Sequence, residues 1–69
     1  MKVYYVISKI KKIIYYVSID KSECENYWNY ERFDEKYYEI RESESETAQK
    51  WIQGKIDRSV LIKELIGGE

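Results

Sequence analysis

The chain has 69 residues, 43% hydrophobic and 36% charged, with a formal net charge of −1, one cysteine and no histidine or proline. A chain this short buries only about 60% of the surface its unfolded form exposes, so it makes one small domain, residues 1–69, and not a two-domain enzyme, a solenoid or a scaffold with a deep catalytic pocket. Without histidine, and with Cys24 alone, it lacks the usual zinc-ligand sets, an internal disulfide and every Ser-His or Cys-His nucleophile pair.

Val3-Tyr4-Tyr5-Val6-Ile7 is rich in β-branched and aromatic residues and predicts a strand. Ser8-Lys9-Ile10-Lys11-Lys12 predicts a turn, and Ile13 to Ile19 the returning strand of an antiparallel hairpin. Residues 20–26 (DKSECEN) read as a polar connection. Residues 28–33 read as a third strand, turning at Asp34-Glu35 into a fourth over 36–41; an irregular aromatic loop over 26–34, leaving three strands, is the alternative.

The C-terminal third has helical periodicity. Ser43 and Glu46 have the spacing of a capping box, and Glu44 and Glu46 suit the positive end of a helix. Ala48, Trp51 and Ile52 then recur at i, i+3 and i+4. Gly54 is placed to end this helix in a left-handed conformation, with Ile56 folding back. Asp57 is placed to cap a second helix over 58–66, with Leu61, Ile62, Leu65 and Ile66 as its buried stripe and Gly67-Gly68 as its stop. The expected fold class is therefore α+β. Its architecture is a small antiparallel sheet of three or four strands, N-terminal hairpin first, packed on one face by two C-terminal helices.

Strict alternation along the strands puts Val3, Tyr5, Ile7, Ile13, Tyr15, Val17 and Ile19 on one face, joined by Tyr38 and Ile40. That face takes the helices through Trp51, Ile52, Leu61 and Leu65. The opposite face carries Tyr4, Val6, Ile14, Tyr16 and Tyr37 with no predicted element over it. An uncovered aromatic surface of this kind marks a partner, and Tyr4 and Tyr16 become candidates for self-association.

Charge is segregated along the chain. Residues 1–21 carry five lysines against Asp20, whereas residues 22–46 carry nine acids against three cations, a net of −6. Such a block repels nucleic acid and attracts cationic surfaces. Lys2, Lys9, Lys11 and Lys12 are too few beside it for direct nucleic-acid binding. Glu39, Glu42 and Glu46 lack the layout of a calcium loop, so no metal or other cofactor is expected. Cys24 lies between Glu23 and Glu25, whose charges disfavour a reactive thiolate. No apolar run approaches a membrane span of roughly 20 residues, the start is too polar for a signal peptide, and a lone thiol suits a reducing compartment. The expected setting is a bacterial cytoplasm, and the expected class is not an enzyme.

The segment Tyr37-Tyr38-Glu39-Ile40-Arg41-Glu42-Ser43-Glu44-Ser45-Glu46-Thr47-Ala48-Gln49-Lys50-Trp51-Ile52 resembles the strand-to-helix passage of small phage-encoded anti-CRISPR proteins that inhibit Cas9. The resemblance covers about 16 of the 69 residues. It implies a decoy whose carboxylates imitate DNA phosphates in the basic groove that reads the PAM. The partner would be a basic nucleic-acid-binding protein. Its contacts would be Glu31, Asp34, Glu35, Glu39, Glu42, Glu44 and Glu46, with Trp28, Tyr30 and Tyr37 as apolar anchors. The competing expectation is a homo-oligomeric accessory or structural protein of a phage or plasmid, joined through the tyrosine face.

Overall fold

A computed structural model describes residues 1–67. The elements run β1 (Val3–Ser8), β2 (Ile14–Ser18), α1 (Lys21–Glu31), β3 (Tyr38–Ser43), α2 (Glu46–Ile52) and α3 (Arg58–Gly67). The sheet is antiparallel with the order β2-β1-β3, so the α+β class holds with three strands and two C-terminal helices. β2 and β3 both run antiparallel to β1 and therefore parallel to each other. Joining two parallel strands takes a crossover rather than a tight turn, and α1 supplies it. Gly68 lies outside the described residues.

The segment over 28–33 is the main departure from the sequence reading. It is helix, not strand, and the helix already begins inside the supposed connection at Lys21. Asp20 caps it: its carboxylate accepts from the Ser22 N–H at 2.9 Å and the Ser22 hydroxyl at 2.7 Å. Those two bonds hold the Asp20 carboxyl below its usual value. At the far end the Arg32 N–H donates to the Asn29 carbonyl and the Phe33 N–H to the Trp28 carbonyl. This is a Schellman closure, and its customary apolar contact is the Phe33 ring edge-on to Trp28, 5.9 Å between centroids.

The closure puts Arg32 at φ 56°, a left-handed position that a side chain disfavours. Arg32→Gly is expected to stabilise the fold by up to about 1 kcal/mol, read as a higher urea midpoint. A lower midpoint would mean that the arginine side chain outweighs its backbone strain.

The hairpin contains a bulge. Val6 pairs with Tyr16 but Ile7 pairs with Ile14, so Tyr15 is an extra residue in β2. Strict alternation therefore fails there. Ile14 and Val17 share the core with Val3, Tyr5, Ile7, Ala48, Leu61 and Leu65, while Ile13 and Ile19 are exposed. Tyr15 and Tyr16 both turn to the other face. Tyr38 and Ile40 are there too, because β3 pairs Ile40 with Val6 and Tyr38 with Ser8. The residues of β3 that share the C-terminal helices' face are Glu39, Arg41 and Ser43.

That second face is covered over β1 and β2. α1 lies over β1 and β2, burying Cys24 completely and stacking Tyr27 on Tyr16 at 4.7 Å. Phe33 fills in against Tyr15, Tyr27 and Tyr38. The predicted tyrosine surface is thus the second core of a three-layer molecule. Tyr16 is half-buried beneath Tyr27, and Tyr4 is half-buried in β1.

The C-terminal helices lie where expected, except that one cap moves and Gly67 is the last residue of α3 rather than its stop. Ser45, not Ser43, caps α2 and accepts from the Ala48 N–H at 3.1 Å. Ser43 is held in β3 by pairing with Val3, which moves the helix start two residues on. Gly54, at φ 76°, closes α2, with its own N–H bonded to the Trp51 carbonyl and the Lys55 N–H to the Lys50 carbonyl. Trp51, Ile52, Ile56, Ile62 and Ile66 pack around buried Leu61 and Leu65.

Candidate functional site

α1 covers β1 and β2 but leaves the neighbouring face of β3 open. The result is an open groove of about 1000 Å³. Tyr38 and Ile40 of β3 supply apolar lining, with Trp28 from α1. Glu25, Asn26 and Asn29 join it from the same helix, and Asp34, Glu35 and Lys36 from the turn before β3. Lys9, from the β1–β2 turn, and Glu39 complete it.

The local structure explains this placement. The Asp34 carbonyl accepts from the Tyr37 and Tyr38 N–H groups, and its carboxylate accepts from the Lys36 N–H at 2.9 Å. These bonds tighten residues 34–38 into a raised rim. Lys9 ties the rim to the hairpin: its ammonium donates to the Glu35 carbonyl and its backbone N–H to the Tyr37 carbonyl, both at 2.8 Å. The Lys36 ammonium sits 5.5 Å from the Tyr37 ring centroid. Both groove lysines are therefore engaged locally. The groove carries the carboxylates of Glu25, Asp34 and Glu35 against two ammonium groups.

The seven acids singled out from sequence do not form one patch. Asp34 and Glu35 line the groove, and Glu25, which sequence reasoning passed over, joins them; Glu39 borders it, but its side chain lies on the opposite face of β3. Glu42, Glu44 and Glu46 lie at the other end of β3 and in its link to α2. There Lys2 pairs with Glu42, raising the lysine pKa and lowering the carboxyl pKa, while Glu46 lies 3.8 Å from Lys50. Glu39 is bonded to the Arg41 guanidinium at 2.7 Å. Glu31 ends α1 and is exposed.

Of the three aromatic anchors, only Trp28 lines the groove. Tyr30 is 82% exposed beside a separate shallow cleft with Tyr16, Glu23, Asn26 and Tyr27. Tyr37 is exposed on the rim. The missing signal was α1. Asp20 and Glu23 have capping-box spacing, and Cys24, Tyr27 and Trp28 recur at i, i+3 and i+4; together these place Glu25, Asn26 and Asn29 on a helix.

Cys24 takes no part in the groove. Burial, and after it the charges of Glu23, Asp20 and Glu25, push its thiol up from 9.0 to about 11. At pH 8 that lowers the thiolate fraction roughly 100-fold. Iodoacetamide is therefore expected to alkylate the folded chain at least about 100-fold more slowly than the urea-unfolded chain. Equal rates would show that α1 does not shield the thiol. The folded state holds this proton more tightly than the unfolded state. The stability linked to it is complete below pH 9.0 and is lost as the pH rises toward about 11.

No helix among the described residues is long and apolar enough to cross a membrane. Comparison with protein-family models, curated proteins and solved structures finds no match to this chain.

Proposed function

We propose that the chain is a small protein-binding inhibitor that occupies a cationic, nucleic-acid-reading surface of a DNA- or RNA-handling protein, using the groove beside β3. One observation carries this reading: Asp34, Glu35 and Glu25 line the same groove as Trp28, Tyr38 and Ile40. Acids alone give a diffuse field that salt screens. Acids beside apolar side chains give a site in which a cationic partner also buries surface, and that combination holds a complex together.

The mechanism is electrostatic competition. A surface that neutralises phosphates with lysine and arginine is occupied instead by carboxylates on a rigid scaffold. The reading narrows the decoy to the groove acids, since Glu42 and Glu46 are matched by Lys2 and Lys50. Against the alternative of a homo-oligomer joined through Tyr4 and Tyr16 stands the stacking of Tyr27 from α1 on Tyr16.

The resemblance of residues 37–52 to anti-CRISPR proteins makes Cas9 the first target to try. A panel of guide-loaded Cas9 effectors is assayed for DNA cleavage with the protein at near-equimolar ratio. Inhibition of at least one member is expected, weakening as salt rises from about 50 to about 200 mM. Full cleavage by every member would remove the Cas9 form of the proposal. A gel shift of bare DNA by this protein would remove the decoy mechanism itself.

A further inference from the structure

The groove also constrains the shape of what it takes, an inference that rests on the groove being the contact surface. Two partner geometries compete. An extended segment could add a strand to the edge of β3, or a helix could lie on the open face of β3 alongside α1.

The edge is obstructed where the groove is. Lys9 donates to the Tyr37 carbonyl, so along the antiparallel ladder the next residue, Tyr38, turns its N–H away from β1. That N–H is already bonded to the Asp34 carbonyl at 3.0 Å. An incoming strand that paired at Tyr38 would have to displace Asp34 and dismantle the rim. The face is different. It presents the side chains of Tyr38 and Ile40, with α1 on one side and the 34–36 rim on the other. A helix is about 10–12 Å across, and the groove, open to solvent along its length, leaves room for one.

The polarity points the same way. An occupant here meets apolar side chains at Tyr38, Ile40 and Trp28, and acids on both flanks: Glu25 on the helix side, Asp34 and Glu35 on the rim. We infer that the groove docks a cationic amphipathic helix of the partner, apolar stripe down on Tyr38 and Ile40, with lysines or arginines on both flanks reaching Glu25 and the Asp34–Glu35 rim. Such a helix completes the layer that α1 begins, and its i, i+3, i+4 stripe fits between two charged margins.

Three 14-residue peptides serve as probes. One places leucine at helical spacing with lysine elsewhere, one scrambles that composition to destroy the stripe, and one alternates lysine and valine to favour a strand. Binding is followed by calorimetry and by amide shifts in the NMR spectrum. The helical peptide is expected to bind at least 10-fold more tightly than the other two. Its shifts should centre on Trp28, Tyr38 and Ile40. Glu25→Lys with Glu35→Lys should weaken it at least 10-fold while the spectrum stays that of a folded chain.

Equal affinity for all three peptides would reduce the groove to unspecific charge and overturn the inference. Preference for the alternating peptide would overturn it in favour of strand addition. A mass of twice 8.4 kDa for the protein alone, with the groove residues shielded, would assign the groove to a second copy. Failure of the Cas9 assay leaves this test intact. Failure here leaves inhibition through another partner geometry standing, so the two proposals fail separately.

Discussion

Ile7→Ala is expected to leave little folded protein at 37 °C. Ile7 sits in the central strand, fully buried, with Ile14 beside it on β2 and the C-terminal helices on its face. Removing such a side chain costs about 2–5 kcal/mol, through lost transfer energy and the cavity left behind. A domain of this length has only about 3–10 kcal/mol of stability in total. Ile14→Ala should be similarly damaging. Ile13→Ala and Ile10→Ala should change stability by less than about 0.5 kcal/mol, since those side chains are 44% and 70% exposed. Urea midpoints for the four variants check the bulge directly. A regular hairpin would make Ile13 the costly position and Ile14 the tolerant one, so a reversed ranking would overturn the register.

The second large effect concerns binding. Glu25→Lys with Glu35→Lys turns the groove from three acids and two lysines into one acid and four lysines. Against a cationic partner this should weaken binding about 100-fold at low salt, attraction having become repulsion. The gap between variant and wild type should shrink as salt rises. Both side chains are exposed, so the fold should tolerate the change. Glu44→Lys with Glu46→Lys is the contrasting pair. It changes as many charges, but outside the groove and close to Lys2 and Lys50, and it should leave affinity within about 3-fold. Equal losses from the two pairs, measured by titration against the inhibited effector, would show that the acidic surface acts as a whole and that the groove has no special part.

The helical stripes of the last third, the two strands of the hairpin and the closure at Gly54 were all legible, because each rests on contacts between near neighbours in the chain. Capping, i to i+4 spacing and β-branched runs act locally. α1 was equally local but was misread. Its capping residues and its Cys24-Tyr27-Trp28 stripe are present, yet Tyr, Trp and Phe weigh toward strands on propensity, and that scale spans only about 1 kcal/mol. Tertiary burial against Tyr16 outweighs it. Ser43 shows the same competition on a smaller scale: as a cap it fits, but pairing with Val3 keeps it in the sheet and passes the role to Ser45.

The sequence by itself determined the class of fold, the C-terminal helices, the poverty of catalytic side chains and the presence of an acidic middle third. Only the tertiary structure decided which acids act together. Glu25, Asp34 and Glu35 line one groove with Lys9 because β3 pairs with β1 on the side away from β2, while α1, spanning the crossover, stops short of covering β3. Strand order and the bulge at Tyr15 are settled by long-range pairing and by the filling of two cores at once. Composition and spacing along the chain carry no record of either.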